Sequence, residues 1–158
     1  MNAEPAGIEI RHPDMADLDT IIGIAETLTE APHWSRSLYE EVLRCGSSRQ
    51  RIALAAENTR TGQVVGFTIA ALTPPEAELE IIAVAEPAQR RGIGRLLLSA
   101  LATELSRAGI ERLLLEVRAS NRAAIRLYAA ANFRQIGTRV RYYADPQEDA
   151  VLMALRLA

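Results

Sequence analysis

A chain of 158 residues is the size of one domain, long enough to bury roughly two thirds of its unfolded surface and to hold a core without covalent staples. With 49% hydrophobic and 24% charged residues and a net charge of -2, the composition excludes a disordered chain and argues against direct nucleic-acid binding. All 18 basic residues are arginines, which excludes a lysine-dependent phosphate loop and Schiff-base chemistry.

Residues 1–7 read as a short flexible tail, with acidic Glu4 and no apolar core of a signal peptide. No apolar run approaches the roughly 20 residues of a membrane helix, and the lone cysteine, Cys45, fits a reducing compartment. The expected location is the cytoplasm, with no membrane partner. Ile8 and Ile10 alternate with Glu9 and Arg11 as a strand that stops at His12-Pro13. Asp14 is a candidate N-cap for a helix carrying Leu18, Ile21, Ile22, Ala25 and Leu28 on one face. The break Ala31-Pro32-His33-Trp34 precedes a second helix, capped by Ser35 or Ser37, with Leu38, Val42 and Leu43 along one side.

Strands are expected at 51–56 and 64–72, paired as a hairpin through a turn at 58–62, and at 77–84 after the Pro74-Pro75 break. The end of the last strand, Ile81-Ile82-Ala83-Val84, is apolar enough to be buried. Ile93, Leu96, Leu97, Ala100, Leu101 and Leu105 recur at helical spacing, and Gly109 stands where a C-terminal cap belongs. Leu113-Leu114-Leu115 opens a strand expected to be buried on both faces, as in a sheet covered by helices. Ser120 or Asn121 caps a further helix to Ala131, Asn132 can close it in the left-handed conformation, and strands at 133–143 and 150–157 end the chain. The order is α/β around a central mixed sheet, one domain over 1–158 without repeats.

The chemistry-bearing segment is Gln89-Arg90-Arg91-Gly92-Ile93-Gly94, between a buried strand and the long helix. A helix start offers unpaired N–H groups and the positive end of the macrodipole, and glycines let a phosphate approach that backbone. Arg90, Arg91 and Arg95 add charge around it. A bare G-x-G also suits an ordinary capped helix. A dinucleotide fingerprint fits less well, because Leu97 holds the third glycine position and eight positions separate Val84 from Gly92.

Gln89 to Gly94 resembles the acetyl-CoA signature Q/R-x-x-G-x-G/A of the GNAT acetyltransferases. Downstream, Leu115-Glu116-Val117-Arg118-Ala119-Ser120-Asn121 with Ala124-Ile125 and Leu127-Tyr128 is similar to the ribosomal-protein alanine N-acetyltransferases, the RimI type. So is Tyr142-Tyr143 followed by Glu148-Asp149-Ala150 and Met153-Ala154-Leu155. The resemblance implies a twisted mixed sheet of about seven strands flanked by about four helices. It also implies acetyl-CoA as cosubstrate, no metal, and a protein or peptide N-terminus as partner, in a monomer or homodimer. Glu116 would be the general base, acting directly or through water, and Tyr128 the acid that protonates the coenzyme A thiolate. Backbone groups of Ile82, Ala83 and Val84 would bond the pantetheine arm as an added strand, and the 90–95 loop would hold the pyrophosphate. Asn121 could contact the cofactor, while Trp34, Tyr142 and Tyr143 would clamp the acceptor. The chain departs from the pattern at Pro87, one place late, at Ala88 in place of an aromatic, at His33 before Trp34, and in a short turn after Tyr143.

Residue chemistry alone says that Glu116, between Leu115 and Val117 on a strand, faces away from them. Tyr128 shares a helix face with Asn121 and Ile125, which suits a core tyrosine as well as a catalytic one. Other readings are a GNAT enzyme acting on a small amine or a lysine side chain, and a non-catalytic acyl-CoA-binding module.

Overall fold

The computed structural model describes residues 5–28, 32–45 and 50–157. Residues 1–4 of the expected tail, Ala31 of the expected break and the side chain of Cys45 lie outside the described residues. The rest of the tail is anchored, since the Gly7 carbonyl accepts from the Thr59 amide at 2.8 Å.

The chain runs β1 (Ile8–Arg11), α1 (Leu18–Glu26), α2 (Arg36–Cys45), β2 (Arg51–Asn58), β3 (Gln63–Thr73), β4 (Glu76–Val84), α3 (Ile93–Arg107), β5 (Arg112–Arg118), α4 (Arg122–Ala130), β6 (Arg134–Tyr143) and β7 (Glu148–Arg156). The seven strands form one mixed sheet in the order β1-β2-β3-β4-β5-β7-β6. Every neighbouring pair is antiparallel except β4 and β5, which α3 joins by a crossover. No described helix is long and apolar enough to cross a membrane.

The caps fall where the side-chain chemistry puts them. The Asp14 carboxylate accepts from the Ala16 amide at 2.9 Å, and Asp17 reaches back to the Asp14 amide at 2.8 Å, closing a capping box ahead of α1. Arg11 grips Asp17 with two N–H groups at 2.8 and 2.9 Å, and these bonds hold the Asp17 carboxyl below the usual carboxylate range. Of the two candidates at α2, Ser35 is the cap, accepting from Leu38. Asn121 caps α4 by accepting from Ala124 at 3.2 Å, and Ser120 instead gives its amide and hydroxyl to Glu148.

Two hydrophobic clusters cover the two faces of the sheet. On one, α3 and Tyr128 of α4 bury Leu97, Leu98, Leu101 and Leu105 against Leu54, Leu79, Leu113, Leu115 and Met153. On the other, α1 and α2 bury Ile21, Tyr39 and Val42 against Ala53, Phe67, Ile69, Ile81 and Ala83. Residues 77, 79, 81 and 83 would share one face of a regular strand, yet Ala77 and Leu79 pack with α3 while Ile81 and Ala83 pack with α1 and α2. The cause is a bulge. Ile69 pairs with Ile81 and Ala70 with Leu79, so Glu80 is the extra residue that flips the end of β4. The unbroken apolar run at 81–84 reflects packing on both faces, Ile81 and Ala83 under α1 and α2 and Ile82 and Val84 against the α3 cluster. The expected double burial of the three leucines is corrected by the same logic: Leu113 and Leu115 are in the core, whereas Leu114 is only half-buried on the opposite face.

Candidate active site

β4 and β5 pair over only three rungs, Glu76 with Arg112, Ala77 with Leu113 and Glu78 with Leu114. Beyond them the sheet splits into a cleft of about 1070 Å³, lined by residues 79–84 on one side and 115–118 on the other. The start of α3 closes one end and α4 flanks it, with Asn121, Leu127 and Tyr128 among the lining residues. Ile82, Ala83 and Val84 therefore form the wall whose ladder to β5 is missing.

At the helix start, Arg90 and Gly92 both adopt positive φ, 62° and 79°, turning the 89–92 backbone sharply into α3. No side chain caps this helix and its first turn holds no acid, so its amides stay available to an anion. The Gln89 side chain steadies the loop by donating to the Val84 carbonyl at 3.0 Å. Arg90, Gly92, Ile93, Gly94 and Arg95 line the cleft; the exposed Arg91 lies outside the lining, and the Ile93 side chain is buried in the core, leaving only its backbone to serve the site. Gly94 has a second reason to be small, because a Cβ there would come within 3.2 Å of Leu127 on α4. Ala88, where a larger ring was the pattern, is buried in a short 3-10 turn at Glu86–Ala88.

Glu116 and Tyr128 reach the split from opposite faces of the sheet. Leu115 and Val117 point into the α3 core and Glu116 away from it, with its side chain 23% exposed. Tyr128 lies in the α3 cluster beside Phe133, ring centroids 5.6 Å apart, and burial pushes its hydroxyl up to about 12. Around Glu116 gather Arg139, whose Nε is 3.3 Å away, and Tyr142, whose hydroxyl is raised chiefly by the neighbouring Glu116 carboxylate. Tyr143 lines the cleft beneath the Arg118 guanidinium, 4.4 Å from its ring centroid, and its hydroxyl is raised first by burial and then by the charge of Glu116.

Neighbours on a strand point to opposite faces, so Tyr142 and Tyr143 should not both approach Glu116. Arg139 pairs with Ala150 but Tyr143 with Glu148, so β6 spends two more residues than β7 over this interval. Arg141 takes the slack at φ 54°, its amide held by the Asp149 carboxylate at 2.9 Å. The following short turn is clasped from β5, where Arg118 donates to the carbonyls of Pro146 and Ala144 at 3.1 and 3.3 Å and pairs with Glu148.

Three expected site residues do not line the cleft: Arg91, Tyr142, which stands beside Glu116, and Trp34. Trp34 stacks on Tyr39, 5.3 Å between centroids, in the α1–α2 cluster, and the 27–33 segment contributes Thr27, Leu28, Pro32 and His33 instead. Sequence reading missed Glu78, whose carboxyl is raised by partial desolvation and then by Glu116 and Glu80, and it missed the clasp role of Arg118. The alternation Glu76-Ala77-Glu78-Leu79-Glu80 carried the signal for Glu78, a polar row opposite a buried one. Among the described residues no group of His, Cys, Asp and Glu is placed to hold a metal ion.

Comparison with known proteins settles the class. A family model described as the acetyltransferase (GNAT) family matches residues 19–133. The ribosomal protein bS18 alanine N-acetyltransferase of Escherichia coli K12 is 44% identical over 102 residues, covering 63% of this chain and 69% of that protein. The crystal structure of the E. coli ribosomal-protein-S18-alanine N-acetyltransferase superposes with a TM-score of 0.81 at 34% identity, over 96% of this chain and 94% of that one. Arabidopsis thaliana NAA60, crystallised with acetyl-CoA, shares the fold at a TM-score of 0.84 and 19% identity, over 95% of this chain and 99% of that one. The split sheet is thus that of an N-acetyltransferase. The chain belongs to the GNAT family, whose members use acetyl-CoA as acyl donor.

Proposed function

We propose that this enzyme acetylates the α-amine of a protein N-terminus, and that its acceptor is the N-terminal alanine of ribosomal protein bS18, as named for its relatives. A ribosomal-protein acceptor fits a cytoplasmic location. The observation that carries the mechanism is the convergence of Glu116 and Tyr128 on one split from opposite faces, with a backbone anion site at its end.

The residues present fit acetyl-CoA. The uncapped start of α3, with Gly92 and Gly94 and the arginines 90 and 95, suits a pyrophosphate; the open edge of 82–84 suits the amide-bearing pantetheine arm. Asn121, whose side chain is spent on the α4 cap, serves by positioning that helix. Transfer forms a C–N bond and breaks a C–S bond; an acceptor that arrives as an ammonium gives up two protons, one to the base before attack and one as the C–N bond forms, and the departing sulfur takes up one. Glu116 takes the amine proton, directly or through water. Its demand is modest for an α-amine, which titrates near ~8 against ~10.4 for lysine, a difference of roughly 3.3 kcal/mol in deprotonation cost. A phenol at about 12 keeps its proton at every working pH, so Tyr128 is always a donor. An ordinary thiol titrates near ~8.5, so Tyr128 stabilises the departing sulfur by hydrogen bonding before any proton moves. Tyr142 and Tyr143 hold the acceptor backbone beside Glu116.

The test is a peptide panel, free and blocked at the N-terminus, scored by thiol release. Free alanine-starting peptides should turn over and blocked lysine-containing ones should not. Glu116→Gln should cut kcat by roughly 100-fold or more with acetyl-CoA affinity unchanged. Equal turnover of blocked lysine peptides would defeat the N-terminal assignment, and undiminished kcat would remove Glu116 as base.

A further inference from the structure

The carboxylate assigned as base is already engaged. Arg139 Nε lies 3.3 Å from Glu116 Oε1, the Tyr142 hydroxyl is raised by the same carboxylate, and the guanidinium lies 5.4 Å from the Tyr142 ring centroid. Cation, phenol and carboxylate thus form a closed set of three. The sheet builds it. Glu116 pairs with Leu152 and Arg139 with Ala150 on the strand between them, two residues apart and therefore on one face. Ala150, a single methyl, leaves room for an arginine to span two strand spacings, about 10 Å. Arg139 sits on the edge strand β6 with its side chain 56% exposed, so it covers Glu116 from the solvent side.

We propose that Arg139 is a positioning residue that stands in for the acceptor's ammonium, holding the Glu116 carboxylate in its aim until the incoming amine displaces it. The inference rests on Glu116 being the base. An incoming ammonium would take the guanidinium's place beside the carboxylate, so ion pair and acceptor compete. The groups facing Glu116 explain why a tethered cation belongs there: Glu78 from β4 is a second carboxylate, and Tyr142 and Tyr143 from β6 add two phenols. Without Arg139, two carboxylates would repel each other with no cation held beside them, and Glu116 would lose its aim. A half-exposed pair is weak enough to be exchanged in each turnover.

The experiment is steady-state kinetics of Arg139→Gln and Arg139→Lys with an alanine-starting peptide across pH 5–9. Arg139→Gln should lower the acceptor KM about twofold to fivefold, the worth of such a pair, with kcat moving less. Arg139→Lys should restore both. Calorimetry with coenzyme A present should show that, in a Glu116→Gln background, Arg139→Gln no longer changes affinity for the peptide. An acceptor KM that stays or rises, or an affinity effect that persists without Glu116, would overturn the inference alone. Full turnover by Glu116→Gln would remove the base assignment and this inference with it.

Discussion

Tyr128 carries its hydroxyl at about 12 because α4 presses it into the α3 core beside Phe133, where a phenolate would lose its water. The folded chain therefore holds this proton more tightly than the unfolded chain does. Below the ordinary value of ~10 nothing is lost; as pH rises from 10 through 12 the unfolded state ionises first, and stability falls by about 3 kcal/mol. Tyr128→Phe should flatten that alkaline loss, read as the difference in urea midpoints between pH 9 and pH 11.5. Tyr39, Tyr142 and Tyr143 are raised as well, so the wild-type-minus-variant difference is the quantity that isolates Tyr128. An equal loss in the variant would contradict its burial as the cause. At this same scale Glu116 was legible, since alternation against Leu115 and Val117 turns it outward whatever the fold. Trp34 was not: a tryptophan beside a proline break suits a binding edge and a packing edge equally, and the presence of Tyr39 five positions on decides for packing.

Among the elements, the β6–β7 hairpin bears most on the acceptor. Its bulge depends on the Asp149 carboxylate receiving the Arg141 amide and on Arg118 clasping the turn. Asp149→Ala leaves that amide to water and lets β6 relax toward regular alternation, which swings one of the two tyrosines away from Glu116. Acceptor KM should rise several-fold while the acetyl-CoA KM holds, and a parallel change in both would show that the bulge serves general folding instead. Helix α3 was readable from its apolar spacing, and the caps at Asp14 and Asn121 from their side chains, because both signals are local. The flip of β4 at Glu80 was not readable, because the extra residue is defined only by where Ile69 and Ala70 find their partners on the neighbouring strand. Nor was the bulge at Arg141, a non-glycine residue at positive φ that the Asp149 bond holds in place.

At the scale of the molecule, two helical layers close the two faces of one sheet, and the single parallel pair is where the sheet opens. Short pairing between β4 and β5, rather than any special side chain, creates the cleft, and the start of α3 closes one end of it. The architecture was legible in outline because an α/β order with one long crossover leaves few topologies, and the glycine-arginine segment pointed to the start of α3 as the proposed anion site. The split itself is a property of strand divergence and has no residue signature. The most direct measurement is tandem mass spectrometry of a bS18 N-terminal peptide that also carries an internal lysine, after incubation with the enzyme and acetyl-CoA. The account predicts a single acetyl group on the alanine α-nitrogen; an acetyl group on the lysine side chain, with the α-amine left free, would contradict it.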